Sequence, residues 1–388
     1  MVTENAIEAM RPEYSDWRWQ LRNALTSFSD VNQALGQFTE LRITPTLEAE
    51  RVAADAFNLK ITPAMIAAVR RGLELHIPGT WSAFCASFIP SEFEISRGVT
   101  DRRPRADGIG EDLRRSNPVP ALSRFYRDRA VLRISHMCPA YCRYCFRRRM
   151  VGDDRGGWNR TEVDAGIAFV RNDEAIKEVI LSGGEPLLLA DERLKYVLNA
   201  LNEIQHVRRV RIDTKIFTML PHRITEAFCR LLRASKVVAV VGHYTHTYEL
   251  TPETEAASSR LVDCGIPVYA HIPLLRNVND DEISLMHLVD RLADIRVRPY
   301  YLIQFIPTEW TEHFRVSIAR GLELIAYLQR NCGGLAVPTY IVYLPEGHGK
   351  VQMSPSHLLG RTPDGYVFRA HDGMQVVYPE NIDGSGTS

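Results

Sequence analysis

Cys138-Pro139-Ala140-Tyr141-Cys142-Arg143-Tyr144-Cys145 places three thiols within eight residues, in the pattern C-x-x-x-C-x-x-C. Thiolates are soft ligands that suit iron, and iron–sulfur clusters are held by cysteine. A four-iron cluster held by only three protein thiolates keeps one iron open. An open iron can bind a small molecule and pass it an electron. Structural disulfides are a rival reading, set back by a chain without secretory features. Zinc is a second rival, but zinc sites usually pair two spaced sets of ligands, and no second Cys/His pair with that spacing is present. Just before the cysteines, Ala130-Val131-Leu132-Arg133-Ile134 reads as a short strand that delivers the loop.

The 388 residues carry 47 Lys+Arg and 47 Asp+Glu, so the formal net charge is +0. That balance excludes a nucleic-acid binder working through bulk electrostatics. No run approaches the ~20 apolar residues of a membrane span. Met1 to Met10 lacks an apolar h-region, so no secretory signal is expected. Cys85, Cys229, Cys264 and Cys332 are expected to be buried reduced thiols, which places the chain in a reducing, cytoplasmic compartment.

Beyond the cysteine loop, apolar runs and helical stretches alternate. Val179–Ser182, Val210–Thr214, Val237–Val241, Val268–Ile272 and Tyr301–Phe305 read as strands. Glu192–Glu203, Arg223–Arg233, Thr254–Cys264 and Ile283–Leu292 read as the helices between them. Such alternation means parallel βα units, about six here against the eight of a closed TIM barrel. The chain is therefore read as α/β, an incomplete (β/α)6 TIM-like barrel at 121–355. Residues 1–120 form a helical region placed over the open side of the barrel, and 356–388 form a tail, turn-rich after Gly360 and frayed at Asp383–Ser388. Thr62-Pro63 reads as an N-cap followed by proline in the first helical turn. Gly98–Pro120, rich in Arg, Asp, Gly and Pro, reads as an irregular connection.

Ligands in parallel α/β folds bind at the carboxyl ends of the strands. Gly183-Gly184-Glu185-Pro186 ends the second strand, where glycines let a backbone approach a ligand. Alone it is only a turn. After a strand that follows a CxxxCxxC loop, it resembles the radical S-adenosylmethionine (SAM) superfamily. The resemblance implies a [4Fe-4S] cluster on Cys138, Cys142 and Cys145, with SAM chelated to the open iron. Gly183, Gly184 and Glu185 would line the methionine end of SAM. Reductive cleavage of SAM would give a radical that abstracts hydrogen.

Tyr343-Leu344-Pro345-Glu346-Gly347-His348-Gly349-Lys350 narrows the resemblance. Read locally, Lys350 is a loop lysine. The lysine 2,3-aminomutase family carries P-G-G-G-G-K at this point, and its Lys bears pyridoxal 5'-phosphate (PLP). This chain keeps the Pro, two Gly and the Lys, with Glu346 and His348 substituted. Asp16-Trp17-Arg18-Trp19-Gln20 resembles the family's D-W-R-W-Q. Tyr126-Arg127-Asp128-Arg129 resembles its Y-P-D-R, which implies that Tyr126 and Arg129 meet PLP. Arg147-Arg148-Arg149 resembles its R-R-R, which implies that Arg147 holds the substrate carboxylate through a guanidinium fork. Three adjacent arginines beside a cluster need anions nearby. His243 occupies the place of a family His near SAM, and His271 that of a Gln meeting the phosphate.

The departures bear on the substrate. Lysine-specific members carry an Asp at the position of Ile306 and another at that of Tyr343, and these pair with the substrate ε-ammonium. Losing both would leave a buried cation unpaired, at a cost on the order of several kcal/mol. Lysine is thus a poor substrate expectation, and Ile306 and Tyr343 suit an uncharged, apolar or aromatic side chain. Arginine remains open if Glu309 or Glu346 turns inward, and glutamate would need a cation not placed by the sequence. The C-terminal cysteines that bind zinc in some members are missing, so no structural zinc is expected. The resemblance implies an amino acid 2,3-aminomutase, with flavodoxin or ferredoxin as reductant and a homo-oligomer as an open possibility. An elimination or deamination outcome and a noncatalytic iron–sulfur protein are the alternatives.

Overall fold

The structure is a computed structural model that describes residues 12–95, 106–113, 117–152, 157–370 and 372–379. The expected frayed end Asp383–Ser388, the start Met1–Met10 and part of the connection Gly98–Pro120 lie outside these residues.

A nine-stranded sheet in sequential order β1 to β9 organises the chain. Its strands are β1 (Leu122–Ser123), β2 (Arg129–Ser135), β3 (Glu178–Gly183), β4 (Arg209–Thr214), β5 (Val237–His243), β6 (Val268–Pro273), β7 (Val297–Ile303), β8 (Thr339–Tyr343) and β9 (Lys350–Gln352). From β2 to β8 every neighbouring pair is parallel. Short antiparallel strands close both ends, β1 against β2 and β9 against β8. The six crossovers between β2 and β8 carry the helices, so the expected six βα units and incomplete barrel are observed.

Residue alternation explains how the sheet serves two faces. In β4, Val210, Ile212 and Thr214 are buried while Arg211 and Asp213 are half-buried. The first two join the apolar core under the helices; Arg211 and Asp213 line the lumen. In a strand, successive side chains point to opposite faces, so one sequence builds core and lumen at once.

Two expectations change. β7 begins at Val297, four residues before the expected start, because Pro299 hides a strand from a reading by propensity. Pro299 sits at a bulge: Ala270 pairs with Pro299 but His271 pairs with Tyr301, leaving Tyr300 as the extra residue. The tail is also more ordered than expected. Leu358–Thr362, Gly365–Arg369 and Gln375–Pro379 form a separate antiparallel sheet, β10 to β12. Its hairpin turns at Pro363-Asp364 and Asp372-Gly373 dominated the sequence pattern and masked the strands between them.

The N-terminal helices Phe28–Leu35, Pro63–Glu74 and Thr80–Phe88 take a different place from the one expected. Thr62 caps the second of them, and Pro63 fills its first position as read from sequence. Their apolar faces pack on Ala140, Met219, Tyr248, Leu275 and Phe305, in the loops after β2, β4, β5, β6 and β7. The helical layer therefore covers the carboxyl mouth of the sheet, where ligands bind, instead of its open side.

Candidate active site

The cysteine loop leaves β2 and is fastened to the helical layer. Tyr141 N–H donates to Lys60 O at 3.1 Å, and Arg143 N–H to Ser87 O at 2.8 Å. Cys138, Cys142 and Cys145 are free thiols that line one cavity with Gly183, Gly184 and Glu185. Burial pushes all three thiols up, Cys142 to about 12. Such thiols stay protonated in water, and a bound metal centre is what would stabilise them as thiolates. Among the described residues no three His, Cys, Asp or Glu side chains converge on a single metal ion. The thiols ring a cavity instead, the arrangement a cluster takes with one thiolate per iron.

The glycines are set by close approach. A Cβ on Gly183 would lie 2.3 Å from Ser135 O, and one on Gly184 2.5 Å from Met137 O. Gly184 N–H and Glu185 N–H donate to those carbonyls, each at 2.7 Å. Glu185 accepts from Thr214 Oγ1 at 2.6 Å, Lys215 N–H at 2.8 Å and Leu187 N–H at 3.0 Å. Burial nonetheless pushes its carboxyl up to about 7. An incoming ammonium group would restore its charge.

A second cavity surrounds Lys350, the first residue of β9. Its backbone N–H donates to Tyr126 Oη at 2.7 Å, and the Arg129 guanidinium lies 3.8 Å over the Tyr126 ring. Lys350 Nζ sits 4.2 Å over the Tyr301 ring and 5.8 Å from that of Tyr343. Burial, then the Arg211 charge, lowers its ammonium from 10.5 to about 8. A neutral amine is the nucleophile a carbonyl needs. The bulge brings Tyr300 and Tyr301 to the same side, with rings stacked at 3.8 Å, and His271 stacks on both. Burial, and next to it His243, keeps His271 neutral, and its buried Nε2 has no hydrogen-bond partner. An orphaned ring nitrogen beside Arg129, Arg211 and a lysine that gives up its proton more readily than usual fits a phosphorylated aldehyde cofactor.

The two cavities share Phe146, Arg147, Ser182, Asp213, His243, Ile303 and Ile306 as walls. The structure thus brings every sequence-predicted site residue to the lining of these two adjoining cavities, Tyr343 included. Their seam differs from expectation in one respect. The Arg147 fork is filled by Glu111, with Nε donating to Oε2 at 2.9 Å and Nη2 to Oε1 at 2.7 Å. Nη1 donates to Ser182 Oγ at 2.7 Å. Glu111 is fully buried. Burial would raise its carboxyl, but Arg147 overrides that and holds it below the ordinary range.

Sequence reasoning missed the anions that the arginine run requires. Arg147 takes Glu111, Arg148 takes Glu94, and Arg149 takes Asp112 and Asp107. It also missed Asp213, which lies 3.1 Å from Arg211 and lines both cavities. The alternation in β4 was the available signal for Asp213. Glu309 and Glu346, the carboxylates considered for a guanidinium substrate, are exposed.

The half-barrel, the three-cysteine loop and the glycine pair define a radical SAM enzyme, and residues 132–289 match the Radical SAM superfamily. Residues 325–386 match the family described as Lysine-2,3-aminomutase. L-lysine 2,3-aminomutase of Clostridium subterminale is 33% identical over 373 residues, covering 96% of this chain and 85% of that protein. Glutamate 2,3-aminomutase of Clostridioides difficile is 34% identical over 370 residues, covering 95% and 84%. The chain belongs to the radical SAM aminomutase family, isomerases that use a [4Fe-4S] cluster, SAM and PLP. No helix among the described residues is long and apolar enough to cross a membrane.

Proposed function

We propose that the protein converts an L-α-amino acid other than lysine or glutamate into the corresponding β-amino acid. One observation carries this reading: the cysteine cavity and the Lys350 cavity adjoin and share seven wall residues. A reaction that pairs a SAM-derived radical with an amine held on PLP needs both within reach of one substrate carbon. When bound, SAM would supply the radical and PLP the carbonyl that takes up the substrate's own amino group. The chain supplies position. Cys138, Cys142 and Cys145 hold the cluster, while Gly183, Gly184 and Glu185 cradle the methionine end of SAM. Lys350 holds PLP, with Tyr126, Arg129 and His271 around it. His243 stays neutral, because burial lowers it to about 4, and packs between the two ends. Arg147 has an Nη2 proton left over for the substrate carboxylate, and Glu111 fixes the plane in which it is offered.

Side-chain charge decides against the substrates of the two named relatives. Ile306 and Tyr343 offer no carboxylate to a lysine ammonium. A glutamate side chain would need a cation, and Arg211 on this wall is already paired with Asp213 and Glu178. An uncharged side chain fits the Ile306–Tyr343 wall. Asp213 favours arginine as the second reading, since its carboxylate faces the cavity. We place the enzyme in the reducing cytoplasm, with flavodoxin or ferredoxin as electron donor.

The test is an anaerobic screen of the common amino acids with SAM and dithionite, scored for β-amino acids with nitrogen-15 in the α-amino group. Label retained on C3 is the expected result. Label lost as ammonia would sink the mutase reading in favour of elimination, and lysine as the best substrate would sink the account of Ile306 and Tyr343.

A further inference from the structure

Arg143 stands between two of the three cysteines, and Arg148 follows the third by three residues. Both guanidiniums end on one carboxylate from outside the barrel. Glu94 Oε1 accepts from Arg143 Nε at 2.8 Å, and Oε2 accepts from Arg143 Nη2 at 2.7 Å and Arg148 Nη2 at 2.8 Å. The Glu94 side chain is 0% exposed, Arg143 1% and Arg148 6%. Glu94 is itself fixed, since its Oε1 accepts the Ser91 N–H at 3.2 Å and closes a capping box.

The remaining donors continue the fastening. Arg143 Nη1 donates to Phe57 O at 2.9 Å and Asn58 O at 3.1 Å. Arg148 Nη1 donates to Trp310 O at 3.4 Å, and Trp310 holds a left-handed φ of 72° that presents its carbonyl. One glutamate thereby joins the helical layer, both ends of the Cys142–Cys145 turn and the loop after β7.

Buried ion pairs seldom add stability over apolar packing, so a two-to-one arginine network beside the ligand cysteines points to a role other than stability. We propose that Glu94 is a positioning residue for the iron–sulfur cluster. It sets where Cys142 and Cys145 hang. Because two guanidiniums share its single charge, it also leaves a net positive charge beside the cluster. Positive charge favours the reduced cluster, the form that reacts with SAM. The inference rests on the family's cluster occupying the three-cysteine cavity.

Glu94→Gln, Glu94→Asp and Arg148→Met proteins, reconstituted anaerobically, are compared with wild type. The measurements are circular dichroism, rate of iron release to a chelator, and midpoint potential from a redox titration followed by electron paramagnetic resonance. E94Q is expected to release iron about tenfold faster, as loss of an outer-shell partner does. Its midpoint should move positive, because a negative charge is lost. E94D should return release toward wild type. R148M keeps the Arg143–Glu94 pair and should move the midpoint negative, so it carries the test if E94Q does not fold. Folded variants with wild-type release and midpoint overturn the inference alone. Wild-type protein that takes up no cluster overturns it together with the family reading.

Discussion

The two adjoining cavities treat charge in opposite ways. Around the cysteines every arginine of the Arg147–Arg149 run has a carboxylate partner, two of them buried. Around Lys350 the amine faces aromatic rings, stays part-neutral and is placed by one backbone hydrogen bond to Tyr126. Fixed, paired charges make the first end stiff and difficult to alter singly. The second can give up its proton and change partner, as a lysine that exchanges with an incoming amine must. The lesson is a division of labour: the cluster end is anchored, and the lysine end is kept reactive.

Substitutions that disable one end should spare the other. Cys142→Ala should abolish iron retention and 5'-deoxyadenosine formation, while borohydride still traps PLP on Lys350. Loss of both would mean the ends are not independent. Lys350→Ala should do the reverse, keeping iron while trapped PLP disappears and turnover falls by on the order of 10³ or more. A smaller effect comes from pH. Below about 8 the Lys350 amine is protonated, so each unit of acidification should slow PLP attachment to the apoprotein about tenfold. From the plateau above pH 9 down to pH 6 that is roughly 100-fold; a profile still rising past pH 10 contradicts the lowered value. Ile306→Asp with Tyr343→Asp should raise kcat/KM for lysine by about tenfold, equivalent to ~1.4 kcal/mol. No gain would show that those two positions do not face the side chain. Gly349→Ala should have the smallest effect. Gly349 has a φ of 77°, and a Cβ there would lie 2.8 Å from Tyr126 Oη. Strain of about 1–2 kcal/mol should loosen PLP retention several-fold, measured by dialysis.

Much of this site was legible in sequence because its parts are local. The cysteine spacing, the glycine pair after a strand and the glycine-rich turn before Lys350 each occupy fewer than a dozen residues. Glu94 and Glu111 were not legible for the same reason in reverse. Glu94 meets Arg143 across 49 residues and Glu111 meets Arg147 across 36, through a segment that reads as an irregular connection. The arginine run announced that anions must exist but not where. For the fold, periodicity located the five parallel strands β2 to β6 well. It placed β7 late because Pro299 lacks the N–H that a central strand ordinarily donates. The helical layer was legible as helices, but its seat over the strand ends depends on apolar contacts far apart in the chain.

The extra residue in β7 has a practical consequence for anyone altering the substrate wall. Val297 packs in the core on the helix side, yet Leu302 does so too, while Tyr301 and Ile303 face the lumen. Odd and even positions exchange faces at Tyr300. A library built on every second residue counted from Val297 would begin in the core and cross to the binding surface at Tyr301 and Ile303. Counting for the binding surface must start at Tyr301.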